Sequence, residues 1–427
     1  MVWKQKIEYG VVLGLLMVVL FSKMATNSFH GDESCWIATS KFFEQWVQID
    51  RASEAWQENV WTISDPALPK YLIAISWKIS GFTSNQLNSP YNSFVSFEEN
   101  EIQGNVPSSS LLLSARIPMV ILCILSFFLI FVFFLKQFNR VIAYSWLFLV
   151  LINSTLIEML LLATPEPPLL FFSITAFILT LVGQKHWAIF INNPAEKEDL
   201  NKSWFFFTLS GFSIGLAAAS KINAFIFCVS LFLLLIYMVF IIKGKLSVKE
   251  RFKYFIRFFC SAILVAILVF IFLNPSLYPQ PIHRMARMLK YRLEVMAGQA
   301  VRHNELTSFP MVYRWLIILK TIVKDYSPMN FSFGWVITSL MTAIGVIIII
   351  IRNRSINRNV LKPEIVFLAF YFLMIFSSFM SPLLWDRYFL FPIFTMNFVM
   401  AITLGYLIDH LIKWINKGIH KIPSTNP

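Results

Sequence analysis

The sequence predicts an all-α fold, a polytopic bundle of about ten transmembrane helices, and three observations predict it. Of 427 residues, 57% are hydrophobic and 14% charged, with a mean hydropathy of +0.66. Soluble domains carry roughly 25% charged residues, so a soluble enzyme is excluded. The apolar content is bulky, 44 Phe against 14 Gly, which excludes a low-complexity or disordered chain. Finally, the apolar residues gather into ten stretches near the length of about 20 residues that a helix needs to cross a bilayer.

Those stretches are 7–26, 111–135, 141–161, 166–184, 204–220, 222–242, 255–273, 331–351, 364–381 and 388–412. The first follows a basic start with Lys4 and Lys6, but Lys23 stands where a small residue should precede a cleavage site, so it reads as an uncleaved anchor. Only Thr164-Pro165-Glu166-Pro167-Pro168 separates the third from the fourth, and the fifth and sixth turn about Ser220-Lys221-Ile222-Asn223. Cys123, Cys228 and Cys260 lie in apolar runs and Cys35 has no partner, so neither a disulfide framework nor a Cys/His metal spacing is present.

The chain reads as one transmembrane domain over 1–427, with two elaborate connections. In the first, 27–110, two patterns of three and four spacing predict interfacial helices. One places Trp36, Thr39, Phe43, Trp46 and Val47 on a face; the other places Leu68, Tyr71, Leu72, Ile75 and Ile79. Residues 83–110, rich in Ser, Asn, Gln and Pro, read as an irregular loop. In the second connection, 274–330, residues 282–298 predict a basic interfacial helix with Met285, Met288, Leu289, Leu293 and Met296 as its apolar strip. Its cations suit anionic head groups or a phosphate-bearing lipid.

Charge sets the orientation. With both termini in the cytoplasm, the inner connections hold Lys136, Arg140, Lys243, Lys245, Lys249, Arg251, Lys253, Arg257, Arg352, Arg354, Arg358 and Lys362, with Lys413, Lys417 and Lys421 in the tail. On that topology 20 Lys and Arg and 7 acids lie inside, against 16 of each sign outside. The net charge of +13 therefore reports orientation, not nucleic-acid binding.

Ionisable residues at span ends are costly to keep and mark function by default. Asp32-Glu33 follows the first span, after Gly31, which lets the chain bend; for Asp32 alone, an N-cap is the plain alternative. Glu166 stands between prolines at the fourth span, Lys221 ends the fifth, Arg116 lies near the start of the second, and Asp386-Arg387-Tyr388 begins the tenth. This gathers carboxylates and cations at one depth on the external face. Such a set suits glycosyl transfer from a lipid phosphate: a carboxylate takes the acceptor proton, and fixed cations stabilise the departing phosphate.

The pattern resembles the integral-membrane glycosyltransferases of the GT-C type, and most closely glycosyltransferase family 39, which includes protein O-mannosyltransferases and lipid A aminoarabinose transferases. Five stretches carry the resemblance: Gly31-Asp32-Glu33-x-x-Trp36, Asp65-Pro66-Ala67-Leu68-Pro69-Lys70-Tyr71, Ser114-Ala115-Arg116, Ala163-Thr164-Pro165-Glu166-Pro167-Pro168, and Gly215-Leu216-Ala217-Ala218-Ala219-Ser220-Lys221. Asn274-Pro275-x-x-Tyr278 and Arg387-Tyr388-x-x-x-x-Pro392 support it more weakly. The resemblance implies an extracytoplasmic active site in a bacterial inner or plasma membrane, an inverting transfer from a polyprenyl-phosphate-linked sugar, and an acceptor protein, lipid or glycan. It implies Asp32 as base, Glu33 and Glu166 helping to hold the acceptor or tune the site, and Lys70, Arg116, Lys221 and Arg387 on the donor phosphate. No cofactor or metal is required by it, although paired carboxylates could hold a divalent ion. The family usually has His-Pro-Pro where this chain has Asp65-Pro66-Ala67, and Asp where it has Glu166. The alternative from another class is a transporter or lipid flippase, for which midplane charges and an inverted repeat would speak.

Overall fold

The computed structural model describes residues 2–240, 242, 244–303, 306, 309–354, 361–381 and 383–419, so Lys243, Arg358 and Lys421 of the inner connections lie outside the described residues. The described residues are helical, without strands. The first span is α1 (Val2–Thr26). The first connection holds α2 (Gly31–Thr39), α3 (Phe42–Val47), α4 (Val60–Ser64), α5 (Leu68–Ile79) and α6 (Phe97–Ile102). The chain returns through α7 (Ser109–Gln137), α8 (Arg140–Ile152) and α9 (Ser154–Leu161), then α10 (Glu166–Asn192), α11 (Lys197–Ser220), α12 (Ile226–Phe240) and α13 (Val248–Leu273). The second connection forms α14 (Pro281–His303) and α15 (Met311–Lys324), followed by α16 (Gly334–Arg354), α17 (Pro363–Phe379) and α18 (Leu390–Ile419).

Eight helices among the described residues are long and apolar enough to span a membrane, and α17 is a shorter apolar helix of 17 residues. The third predicted stretch is not one helix: α8 and α9 meet at 72°. Asn153 causes the break. It leaves helical geometry with ψ at 92°, its side chain accepts from Leu156 N at 2.9 Å, and its amide donates to the Tyr326 carbonyl at 3.2 Å. A polar residue that caps the next helix outcompetes the intrahelical ladder.

Packing follows from the bulky composition. Phe127, Phe131, Phe134, Trp146, Phe177 and Trp187 are wholly buried, and the Phe367 and Phe398 rings stack at 3.7 Å. Small residues allow closer approach where it is needed: a Cβ at Gly211 would collide with the Ala262 carbonyl, and one at Gly215 would lie 2.7 Å from that of Ala266. Thus α11 seats directly on α13, the close packing that small residues permit between spans.

The first connection is more divided than its periodicity suggests. Residues 34–49 split into α2 and α3, where Trp36, Thr39 and Trp46 are buried but Val47 is exposed. On α5, Ile73, Ala74 and Trp77 pack inward while Ile75 and Ile79 face out. Residues 83–110 are not wholly irregular, since α6 is built around buried Asn100, whose amide donates to the Asn92 and Ser96 carbonyls, each at 2.9 Å.

Candidate active site

At one end of the bundle a cavity of about 460 Å³ is lined by Asp32, Asp65, Glu166, Lys221, Arg292 and Arg387, among others. Four of the seven candidate residues therefore share it: Asp32, Glu166, Lys221 and Arg387. Glu33, Lys70 and Arg116 do not line it and are buried behind its walls.

Asp32 is in the first turn of α2, but the cap there is His30, whose ring accepts from Asp32 N at 3.1 Å while Glu33 accepts from His30 N at 3.1 Å. The Asp32 carboxylate is thus not spent on the helix end. It pairs with Arg387, with the His30 ring 3.9 Å away. Gly31 serves a close approach more than a bend: a Cβ there would lie 2.8 Å from the Tyr91 ring.

Glu33 is tied into the wall behind the cavity. It accepts from Arg116 through both oxygens, each at 2.7 Å, and from Ala163 N at 2.8 Å. The expectation that Arg116 contacts a donor phosphate is revised, because its remaining N–H groups donate to the Met24, Asn27 and Ser28 carbonyls at 3.2, 2.8 and 2.8 Å. All five guanidinium donors are used within the protein. Glu33 therefore joins α2, α7 and the turn before α10, and so sets Asp32 against Glu166.

Glu166 opens α10 between Pro165 and Pro167, residues that suit the first turn of a helix, and the helix N-terminus favours its charge. Lys221 Nζ donates to it at 2.9 Å and lies 5.6 Å from the Tyr388 ring centroid. Lys221 reaches this position because the backbone turns extended there (φ −152°, ψ 117°) between α11 and the short turn Ile222–Phe225. Arg387, in the turn Asp386–Phe389, stacks on Trp385 at 4.6 Å.

Lys70 is also corrected from a donor contact to a support. Its ammonium donates to the Trp61 and Asp65 carbonyls at 2.7 and 3.1 Å, beside the Trp36 and Phe42 rings. Burial pulls its pKa from 10.5 down to about 8. By holding both carbonyls, Lys70 fixes α4 and keeps Asp65 on the cavity wall. Burial pushes the Asp65 carboxyl upward, and Lys70 opposes that.

Sequence reasoning missed Asp65, Arg292, Tyr388 and Gln299 as cavity residues. The signals were present: Asp65 stands in a quoted motif, and positions 291, 292, 295, 296 and 299 fall on one helical face. The face that lines the cavity overlaps the predicted strip of α14 at Met296, while Leu289 and Leu293 of that strip are exposed. Arg292 Nη2 donates to the Tyr388 hydroxyl at 3.3 Å.

This fold, a helical bundle with an elaborate first connection and a charged cavity at one end, is that of the GT-C glycosyltransferases. Structures of the oligosaccharyltransferase from Archaeoglobus fulgidus resemble it along nearly its whole length. The apo form has a TM-score of 0.57 at 13% identity, over 98% of this chain and 53% of that one. The complex with an inhibitory peptide and a dolichol-phosphate has a TM-score of 0.55 at 13% identity, over 100% and 53%. The complex with Zn and sulfate has a TM-score of 0.55 at 13% identity, over 94% and 49%. The chain thus spans about half the length of the structures it matches. The family model for dolichyl-phosphate-mannose-protein mannosyltransferases matches residues 11–277, and the chain belongs to that family, glycosyltransferase family 39. No curated protein matches the sequence. Family membership selects the glycosyltransferase reading over the transporter or flippase.

Among the described residues no group of three or more His, Cys, Asp and Glu is placed to hold a metal, and Asp32 and Glu166 each face a fixed cation instead.

Proposed function

We propose that the protein transfers one sugar from a polyprenyl-phosphate-linked donor to an acceptor hydroxyl, with inversion, at the external membrane face. The observation that carries this reading is the shared cavity, with Asp32 and Glu166 opposite Lys221, Arg292 and Arg387. As the acceptor oxygen bonds to the anomeric carbon, Asp32 takes its proton. The bond from that carbon to the phosphate oxygen breaks, and its electron pair leaves on the phosphate, where Arg387, Lys221 and Arg292 stabilise the charge gained. Arg387 pairs with Asp32; a bound phosphate competes for Arg387 and leaves the carboxylate to act as base. Glu166, fixed by Lys221, orients the acceptor. Glu33, Arg116 and Lys70 position these groups from behind.

The family's description supports mannose as the sugar and a protein as the acceptor, and the peptide complex of the archaeal enzyme agrees with a protein acceptor. The balance of charge supports cytoplasmic termini. The test is transfer of radiolabelled mannose from a polyprenyl phosphate to a Ser/Thr peptide. Asp32→Asn should lower turnover by about 10²–10⁴-fold at unchanged expression, and near-normal turnover would remove Asp32 as base.

A further inference from the structure

One wall of the cavity comes from α14, through Tyr291, Arg292 and Gln299, and α14 lies beyond the segment that the family model matches. Its main supports are α4 and the short turn Pro275–Leu277. Among the described residues the buried Gln299 Oε1 atom has no hydrogen-bond partner, so this wall holds both a cation and an unpaired acceptor.

Glu58 joins this wall to the first connection. It lies just before α4, and its carboxylate is 3.6 Å from Arg284 Nε and paired with Arg287, both on α14. Arg284 also donates to the Trp56 carbonyl at 3.3 Å and to that of Ser276, and the Trp56 and Tyr278 rings meet edge-on at 5.8 Å. The Glu58 and Arg284 side chains are 21% and 18% exposed, which separates this clamp from an ordinary solvated surface pair. Arg292 stands two helical turns beyond Arg284, and Gln299 two turns beyond Arg292. A tilt of α14 at its clamped end therefore moves both at the cavity.

We infer that Glu58 is a positioning residue: it does not line the cavity, yet by clamping Arg284 and Arg287 it fixes the wall that carries Arg292 and Gln299 and so sets the affinity for a phosphate-bearing lipid donor. The ligand rests on the glycosyl-transfer reading; the clamp itself does not.

The test uses the full chain in nanodiscs, with polyprenyl-phosphate mannose as donor. Glu58→Ala should raise KM for the donor about tenfold, the worth of one partly shielded charge pair, with kcat within about twofold. Glu58→Asp should restore most of the affinity. Amide exchange across 281–300 should accelerate in Glu58→Ala while α7 keeps its protection. An unchanged KM overturns the inference, with or without faster exchange in α14. So does a raised KM with α14 exchange unchanged, or a fall in protection throughout the bundle. If Asp32→Asn retains transfer, the reading of the site fails; the clamp is then judged by exchange and by binding of polyprenyl phosphate to the Glu58 variants.

Discussion

Removing Glu33 should be among the most damaging single changes in this protein, and its cost can be worked from its partners. Arg116 is 1% exposed, and among the described residues the only carboxylate it bonds is that of Glu33. Breaking a buried pair by deleting one partner costs about 3–5 kcal/mol, because the other charge is left uncompensated. Glu33→Ala also leaves Ala163 N without its acceptor, a further cost of about 1–3 kcal/mol. Against a total stability of about 5–15 kcal/mol, such a variant falls close to unfolding. Glu33→Gln keeps an acceptor and is the gentler probe. Paired with Arg116→Met in a double-mutant cycle, it should reveal coupling of about 2–3 kcal/mol, measured by equilibrium unfolding in mixed micelles. Additive effects, or a Glu33→Gln loss below about 1 kcal/mol, would refute the view that this pair joins three segments.

Two further predictions concern the first connection. The folded state binds the Lys70 proton only up to about pH 8, against 10.5 for the free side chain. Unfolded chains therefore hold more protons between these values, and stability rises with pH across that window. Wild type should gain up to about 3 kcal/mol there relative to Lys70→Met, and a difference in melting temperature that stays flat with pH would contradict this. Separately, Ile49 has a φ of +56°, a left-handed conformation costly for a β-branched residue. It closes α3: Ile49 N donates to Trp46 O and Asp50 N to Gln45 O, each at 3.2 Å. That is the helix-ending pattern in which glycine is favoured. Ile49→Gly should stabilise by about 1 kcal/mol, and any destabilisation in thermal unfolding would count against the strain.

The spans were legible because length and hydrophobicity together define what can cross a bilayer. The break at Asn153 was not, since one Asn-Ser cap signal is hidden inside a long apolar run. At the site, position along the chain was readable but direction was not. Asp32 and Glu33 are neighbours, yet about 100° of helical rotation separates them; one faces the cavity and the other is sealed behind it. Lys70 and Lys221 both sit by motifs of the family, but only Lys221 has a carboxylate partner across the cavity. Arg292 escaped notice because its charge set it apart from the apolar strip of α14, whose Met296 lines the cavity with it.

The bend between α8 and α9 also bears on the membrane itself. With α8 along the bilayer normal, its 13 residues rise about 20 Å. The 8 residues of α9, tilted by 72°, add only about 4 Å. If the pair is one broken span, it covers about 23 Å of a hydrocarbon layer roughly 30 Å thick. Such a hydrophobic mismatch is met by local thinning. Asn27, just beyond α1, donates to the Glu158 carbonyl of α9 at 3.0 Å, so the shortfall lies near the segment that presents Asp32. The lipid surface would then dip beside the segment that carries Asp32.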